Sequence, residues 1–170
     1  MTRLFRKILV PHDFSEPATH ALGVAADLAR EHRGRITLLH VIVPFAPVTA
    51  FPPMDGATYV PPPDARTERK HLEELVGKTL RGRRVRVACE AVLGDPYQRI
   101  VDAGRRHDSI VMATSGRTGL SHLLIGSVAE KVVRHATVPV LTVRAEAGRK
   151  AVRRGGRRPK RGRRAARRRR

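Results

Sequence analysis

Residues 108–128 read DSIVMATSGRTGLSHLLIGSV. The first part, Asp108–Thr114 with Ile110-Val111-Met112-Ala113 at its centre, is a short apolar run of the kind that forms a strand buried on both faces. The last part opens a helix expected over Gly126 to His135. Between them lies a turn bearing Gly116 and Gly119. Glycines let a backbone approach an anion without a Cβ in the way, and the free amides of a helix start point at it. Taken alone, G-x-x-G is an ordinary turn, and a glycine such as Gly126 simply packs a helix on a sheet. The position directly after a buried strand favours a phosphate cradle. Charge-assisted hydrogen bonds contribute about 1.5–3 kcal/mol each. Several together approach the roughly −8 kcal/mol of micromolar binding. The Ser127 hydroxyl and Arg117 would add to them.

Outward from this stretch the chain alternates. Lys7–Pro11 reads as a buried strand. Ser15 follows as a helix N-cap, with Glu16 and Pro17 in the first turn. Ala18, Ala21, Leu22, Ala25, Leu28 and Ala29 recur at helical spacing, and Gly34 is expected to stop that helix. Arg35–Val43 is a second strand. Asp64 to Leu80 is a second helix carrying Leu72, Leu75 and Val76, and Val85–Val92 is a third strand. Asp95 caps a third helix that Pro96 opens, with Ile100, Val101 and Ala103 along it. Val138–Val143 is a fifth strand, opened by Pro139. Regular alternation predicts an α/β fold: a five-stranded parallel sheet, doubly wound into three α/β/α layers. Such a sheet binds ligands beyond the carboxyl ends of its strands, where strand order reverses. Pro11–Ser15, Val41–Val43 and Thr114–Ser127 are therefore expected to meet. Pro44 to Pro63 is a proline-rich connection of a length usually tied to function or mobility.

Composition agrees. Aromatics are 4% and Trp is absent, so the core must be aliphatic. The net charge of +20 is uneven: residues 145–170 hold 14 of the 35 basic residues and one acid, Glu146. That leaves about +7 on the body and gives the basicity two sources. Beyond Arg144 the apolar pattern stops. The chain is expected to divide into a domain over 1–144 and a disordered Arg-rich tail over 145–170. The tail, chiefly 149–170, would attract nucleic acid or another polyanion non-specifically. It has no aromatic for base stacking. One cysteine, Cys89, allows no internal disulfide and no zinc spacing, and reads as a small core residue in a reducing setting. No apolar run is long enough for a transmembrane segment, and Pro11 cuts short the run after the basic start, so a cytoplasmic location is expected.

Three stretches carry a resemblance: Lys7-Ile8-Leu9-Val10-Pro11-His12-Asp13-Phe14-Ser15; Leu38-Leu39-His40-Val41; and Gly116-Arg117-Thr118-Gly119 through Gly126-Ser127-Val128-Ala129-Glu130 to Pro139-Val140. Over residues 3–144 the chain resembles the universal stress protein (UspA) family. Its ATP-binding members carry Gly, two residues, Gly, nine residues, Gly, then Ser or Thr. Gly116, Gly126 and Ser127 fit that pattern. Ala113 stands in place of the first glycine and would cost about 1–2 kcal/mol there if the backbone needs a positive φ. The resemblance implies an adenine nucleotide α-hydrolase-like fold and an ATP-binding regulatory module, with Mg²⁺ accompanying the nucleotide. Pro11 and Asp13 would sit on its ribose or adenine side, and Val41 would meet adenine through its backbone. Met112, Ala113, Thr114, Gly116, Arg117 and Gly119 would wrap the phosphates, and Gly126, Ser127 and Val128 would complete that site. It also implies a homodimer, paired through Val138–Val143. Two alternatives stand beside it: a nucleic-acid-associated protein working through the tail, and a stress protein of the same fold that holds no nucleotide.

Other chemistry finds less support. His12-Asp13 lacks a third metal ligand. Ser115, Ser121 and Ser127 sit in no G-x-S-x-G elbow. The G-R-T-G string follows a strand, whereas the RNA-binding KH clamp joins two helices. No G-K-[ST] is present, so slow ATP hydrolysis is the most that is expected of catalysis.

Overall fold

The computed structural model describes residues 4–44, 64–114 and 126–144. Nine elements alternate along them: β1 (Lys7–Pro11), α1 (Glu16–Glu31), β2 (Arg35–Ile42), α2 (Ala65–Thr79), β3 (Arg86–Leu93), α3 (Pro96–Gly104), β4 (Ser109–Ala113), α4 (Ser127–His135) and β5 (Val140–Val143). All strand pairings are parallel, in the order β3-β2-β1-β4-β5. The sheet grows leftward from β1 to β3, then returns to the other side of β1 for β4. Strand order therefore reverses between β1 and β4, which is where a doubly wound sheet opens a crevice.

Alternation along β1 separates two cores. Ile8 and Val10 join Leu22, Ala25, Ala26, Leu38 and Leu72 beneath α1 and α2. Leu9 joins Leu39, Ile110, Met112, Ala129 and Val132 beneath α3 and α4. Ile8, Leu9 and Val10 are fully buried, as a central parallel strand requires. Cys89 is half-buried against the first core, and burial pushes its thiol above the usual range. β5 occupies one sheet edge and β3 the other.

Two helix starts follow their sequence signals, at Ser15 and Asp95, and Asp64, expected as the first residue of its helix, caps it instead. The Ser15 hydroxyl accepts the Ala18 N–H, Asp64 accepts those of Arg66 and Thr67, and Asp95 accepts that of Gln98. The helix end at Gly34 differs from expectation. α1 stops at Glu31, and the left-handed residue after it is Arg33, at φ +52°. Gly34 serves close approach instead: a Cβ there would run into the carbonyl oxygen of Phe5 and the backbone of Arg6. β5 also starts later than expected, at Val140. Pro139 lies before it and offers its carbonyl to the Ile110 N–H at 2.9 Å.

Candidate functional site

The carboxyl ends of β1, β2 and β4 and the start of α4 enclose an open cleft of about 340 Å³. Pro11 and Asp13 enter it from β1 and the turn after it, Val41 and Val43 from β2, and Met112, Ala113 and Thr114 from β4. Gly126, Ser127 and Val128 enter from the head of α4. The three segments expected to converge do so over their described residues. Gly116, Arg117 and Gly119 lie outside the described residues, as do most of the proline-rich connection and all of the Arg-rich tail.

The head of α4 has an unusual start. Its N-cap is Gly126, which brings no side chain of its own to cap the helix. The Gly126 N–H is itself engaged, donating to Thr114 O at 2.6 Å. Thr114 N–H in turn donates to Val143 O at 3.0 Å, so one residue ties β5, β4 and α4 together at the cleft. Among the described residues, the first-turn amides of α4 thus begin at the cleft wall with no side-chain acceptor from the N-cap. A helix N-terminus in that condition carries roughly half a positive elementary charge.

Ala113 closes β4 with extended backbone and does not have a positive φ. The strain cost considered for alanine at this position therefore does not arise. Its methyl group borders the cleft where a glycine would leave space.

Val41 is placed by strand parity. Within a strand, one residue's N–H and C=O point to the same side, and alternate residues point to opposite sides. Ile42 O accepts from Gly94 N–H, beyond β3, and Leu39 O accepts from His12 N–H, beyond β1. Val41 therefore faces the β1 side. β1 ends at Pro11, opposite Leu39, so the backbone N–H and C=O of Val41 face the cleft. Asp13 accepts both the N–H and the hydroxyl of Ser15, at 3.1 and 2.5 Å. It braces the β1–α1 turn while bordering the cleft, and Ser15 supplies the cap of α1.

Two histidines, His12 and His40, also line the cleft. His12 is buried, and its Nδ1 accepts the Phe14 N–H at 3.0 Å. Its Nε2 lies 3.3 Å from the Thr19 hydroxyl, whose proton already goes to Ser15 O at 2.9 Å. The ring is therefore neutral with its proton on Nε2. Burial lowers its pKa to about 4, with the Asp13 charge opposing and His40 assisting. His40 Nδ1 donates to His12 O at 2.8 Å, and its Nε2 faces Glu68 of α2 at 3.9 Å. The His40 ring also packs on that of Phe14. These contacts fix the cleft wall to α2. No spacing signal in the sequence links residues so far apart. Among the described residues no group of three or more His, Cys, Asp or Glu is arranged to hold a metal, and no helix is long and apolar enough to cross a membrane.

The profile of the universal stress protein family matches residues 4–144. A universal stress protein of Methanocaldococcus jannaschii is 32% identical over 143 residues, covering 83% of each chain. The chain belongs to the universal stress protein family. A solved structure from this family in Burkholderia pseudomallei is 29% identical, covers 83% of this chain and 97% of its own, and superposes with a TM-score of 0.58. A universal stress protein family protein of Arabidopsis thaliana, solved with AMP bound, shares the fold at 23% identity and a TM-score of 0.55, covering 83% of this chain and 92% of its own.

Proposed function

We propose that this universal stress protein binds ATP in the cleft and acts as a nucleotide-dependent regulatory module with little or no catalysis. The observation that carries the reading is the head of α4 at the strand-order reversal, where a glycine N-cap leaves the first-turn amides facing the cleft, an arrangement suited to an anion. The phosphates would lie against Ala113, Thr114, Gly126, Ser127 and Val128, with Mg²⁺ travelling on them. Adenine would meet the backbone of Val41, and the ribose would lie near Asp13. The AMP held by the Arabidopsis protein of the same fold is of this ligand class. His12 is a poor general base, because both its nitrogens are committed within the fold. On the same reading a second copy pairs along the edge of β5. Residues 145–170 form a segment apart from the 1–144 domain that adds non-specific attraction to nucleic acid.

ATP should raise the melting temperature of the full chain in a dose-dependent way. At a hundredfold excess over Kd the gain is about 2.7 kcal/mol, or roughly 5–10 °C for a domain of this size. Gly126→Val places a branched side chain at the phosphate position and should abolish the shift while leaving the ligand-free melting point within a few degrees. No shift at millimolar ATP sinks nucleotide binding. A full shift in the variant moves the phosphates elsewhere.

A further inference from the structure

The body of the chain carries a net positive charge of its own, and the fold gathers part of it into a row. Lys7, Arg35 and Arg86 are the first residues of β1, β2 and β3. The register places Lys7 opposite Arg35 and Arg35 opposite Arg86. Register partners lie on one face of a sheet, about 4.8 Å apart between strands. Three exposed cations thus stand side by side across about 10 Å, at the amino end of the sheet. Arg6, Arg33 and Arg84, all exposed, flank them in the chain.

Like charges directly opposite one another across a sheet destabilise it. Among the described residues no carboxylate lies within ion-pair distance of any of the six. Asp108, the acid beside β1, accepts the backbone N–H of Lys7 at 2.9 Å. On α1, Asp27 is held by Arg83 at 3.0 Å and by Arg30 at 3.8 Å, while Glu31, the last residue of the helix and the acid nearest this end, is exposed and forms no ion pair with any of the six among the described residues. Glu90, on the same face of β3, lies two alternate positions further along, about 13 Å away, and bounds the row.

We propose that this row is a docking surface for the phosphate backbone of double-stranded nucleic acid, at the end of the sheet opposite the nucleotide cleft. Unrelieved cations at fixed spacing on strands suit a rigid, regularly charged polyanion. A single strand would call for exposed aromatic platforms. Among the described residues the one Phe, Tyr or Trp at this end is Phe5, which is half-buried and packs its ring on His32. An anionic membrane would call for apolar side chains among the cations, and the row presents none. β5 runs parallel to the other strands, so Arg144, which follows it, stands at the cleft end of the sheet, opposite the row.

The test uses the full chain and a duplex of about 30 base pairs, titrated from about 0.05 to 0.2 M salt. Lys7→Gln/Arg35→Gln/Arg86→Gln should lower the slope of log K against log salt by about 3 and weaken binding at least about tenfold. Arg66→Gln/Arg69→Gln/Lys70→Gln removes the same charge from exposed positions on α2 and should change both far less. Arg86→Gln alone should give about a third of the slope change, which guards against a triple variant that folds poorly. Equal losses in the two triple variants, or an unchanged slope in the first, overturn the proposal. So does a first variant that keeps duplex affinity while losing phosphatidylserine vesicles.

Discussion

Lowering the pH from 7 to 4 should remove roughly 3 kcal/mol of folding stability through His12 alone. The ring is buried at the cleft wall, and its Nδ1 accepts an N–H that a protonated ring would meet with a second donor. Its pKa falls from 6.5 to about 4 on folding, chiefly through burial. Between those values the unfolded chain binds the proton and the folded chain does not. Stability is therefore complete above pH 6.5, declines as pH falls toward 4, and loses nothing further from this group below that. Urea unfolding at half-unit pH steps measures it. The slope attributable to His12 approaches about 1.4 kcal/mol per pH unit in the middle of the window. His12→Gln should be less stable at pH 7 yet show a shallower slope by nearly one proton. A variant with the wild-type slope would rule out His12 as the titrating group. Because His12 borders the cleft and its carbonyl holds His40, the same protonation should loosen the wall against which Val41 stands.

Gly34→Ala should destabilise the fold by about 3 kcal/mol, a larger loss than its single methyl suggests. The new Cβ would occupy the place of the Phe5 carbonyl oxygen and press on the backbone of Arg6. Backbone cannot swing aside as a side chain can, and Arg6 O also accepts the Arg35 N–H at 2.9 Å, which aligns β1 with β2. The expected fall in melting temperature is roughly 6–12 °C. Arg33→Gly is the contrasting change. Arg33 holds φ +52°, where a residue with a Cβ costs about 1–2 kcal/mol, so glycine should be neutral or stabilising. If Gly34→Ala is harmless and Arg33→Gly costly, the assignment of roles at this junction is reversed.

That junction also shows where sequence reading stops. A glycine after an amphipathic helix reads as its left-handed stop, but the reason for this glycine is a chain segment nearly thirty residues earlier, brought alongside by strand pairing. Local signals held where their cause is local. Ser15 and Asp95 cap the helices that follow them, because a cap involves only the next few amides. Apolar runs marked the strands for the same reason, while their ends shifted by a residue or two, since pairing partners decide where a ladder stops.

The candidate site divides likewise. That Asp13, Gly126, Ser127 and Val128 border the cleft was legible because they lie in the turn after β1 or at the start of the helix that follows β4, and such segments gather at one end of a parallel sheet. Whether Ala113 is strained was not legible, because φ at a strand end depends on the neighbouring strands and on Thr114, which binds Val143 and Gly126. The roles of His12 and His40 were hidden too: a histidine's charge state is set by burial and by partners on α1, α2 and the β1–α1 turn.

By itself, then, the sequence determined the alternation of elements, the parallel sheet, the aliphatic core and the family, since these follow from residue type and spacing along the chain. Only the tertiary structure decided which glycine is sterically required, that alanine is unstrained at residue 113, that His12 is buried neutral, and that Lys7, Arg35 and Arg86 stand in one row. Each of these is a relation across strands or across the cleft, and such relations exist only once the chain has closed on itself.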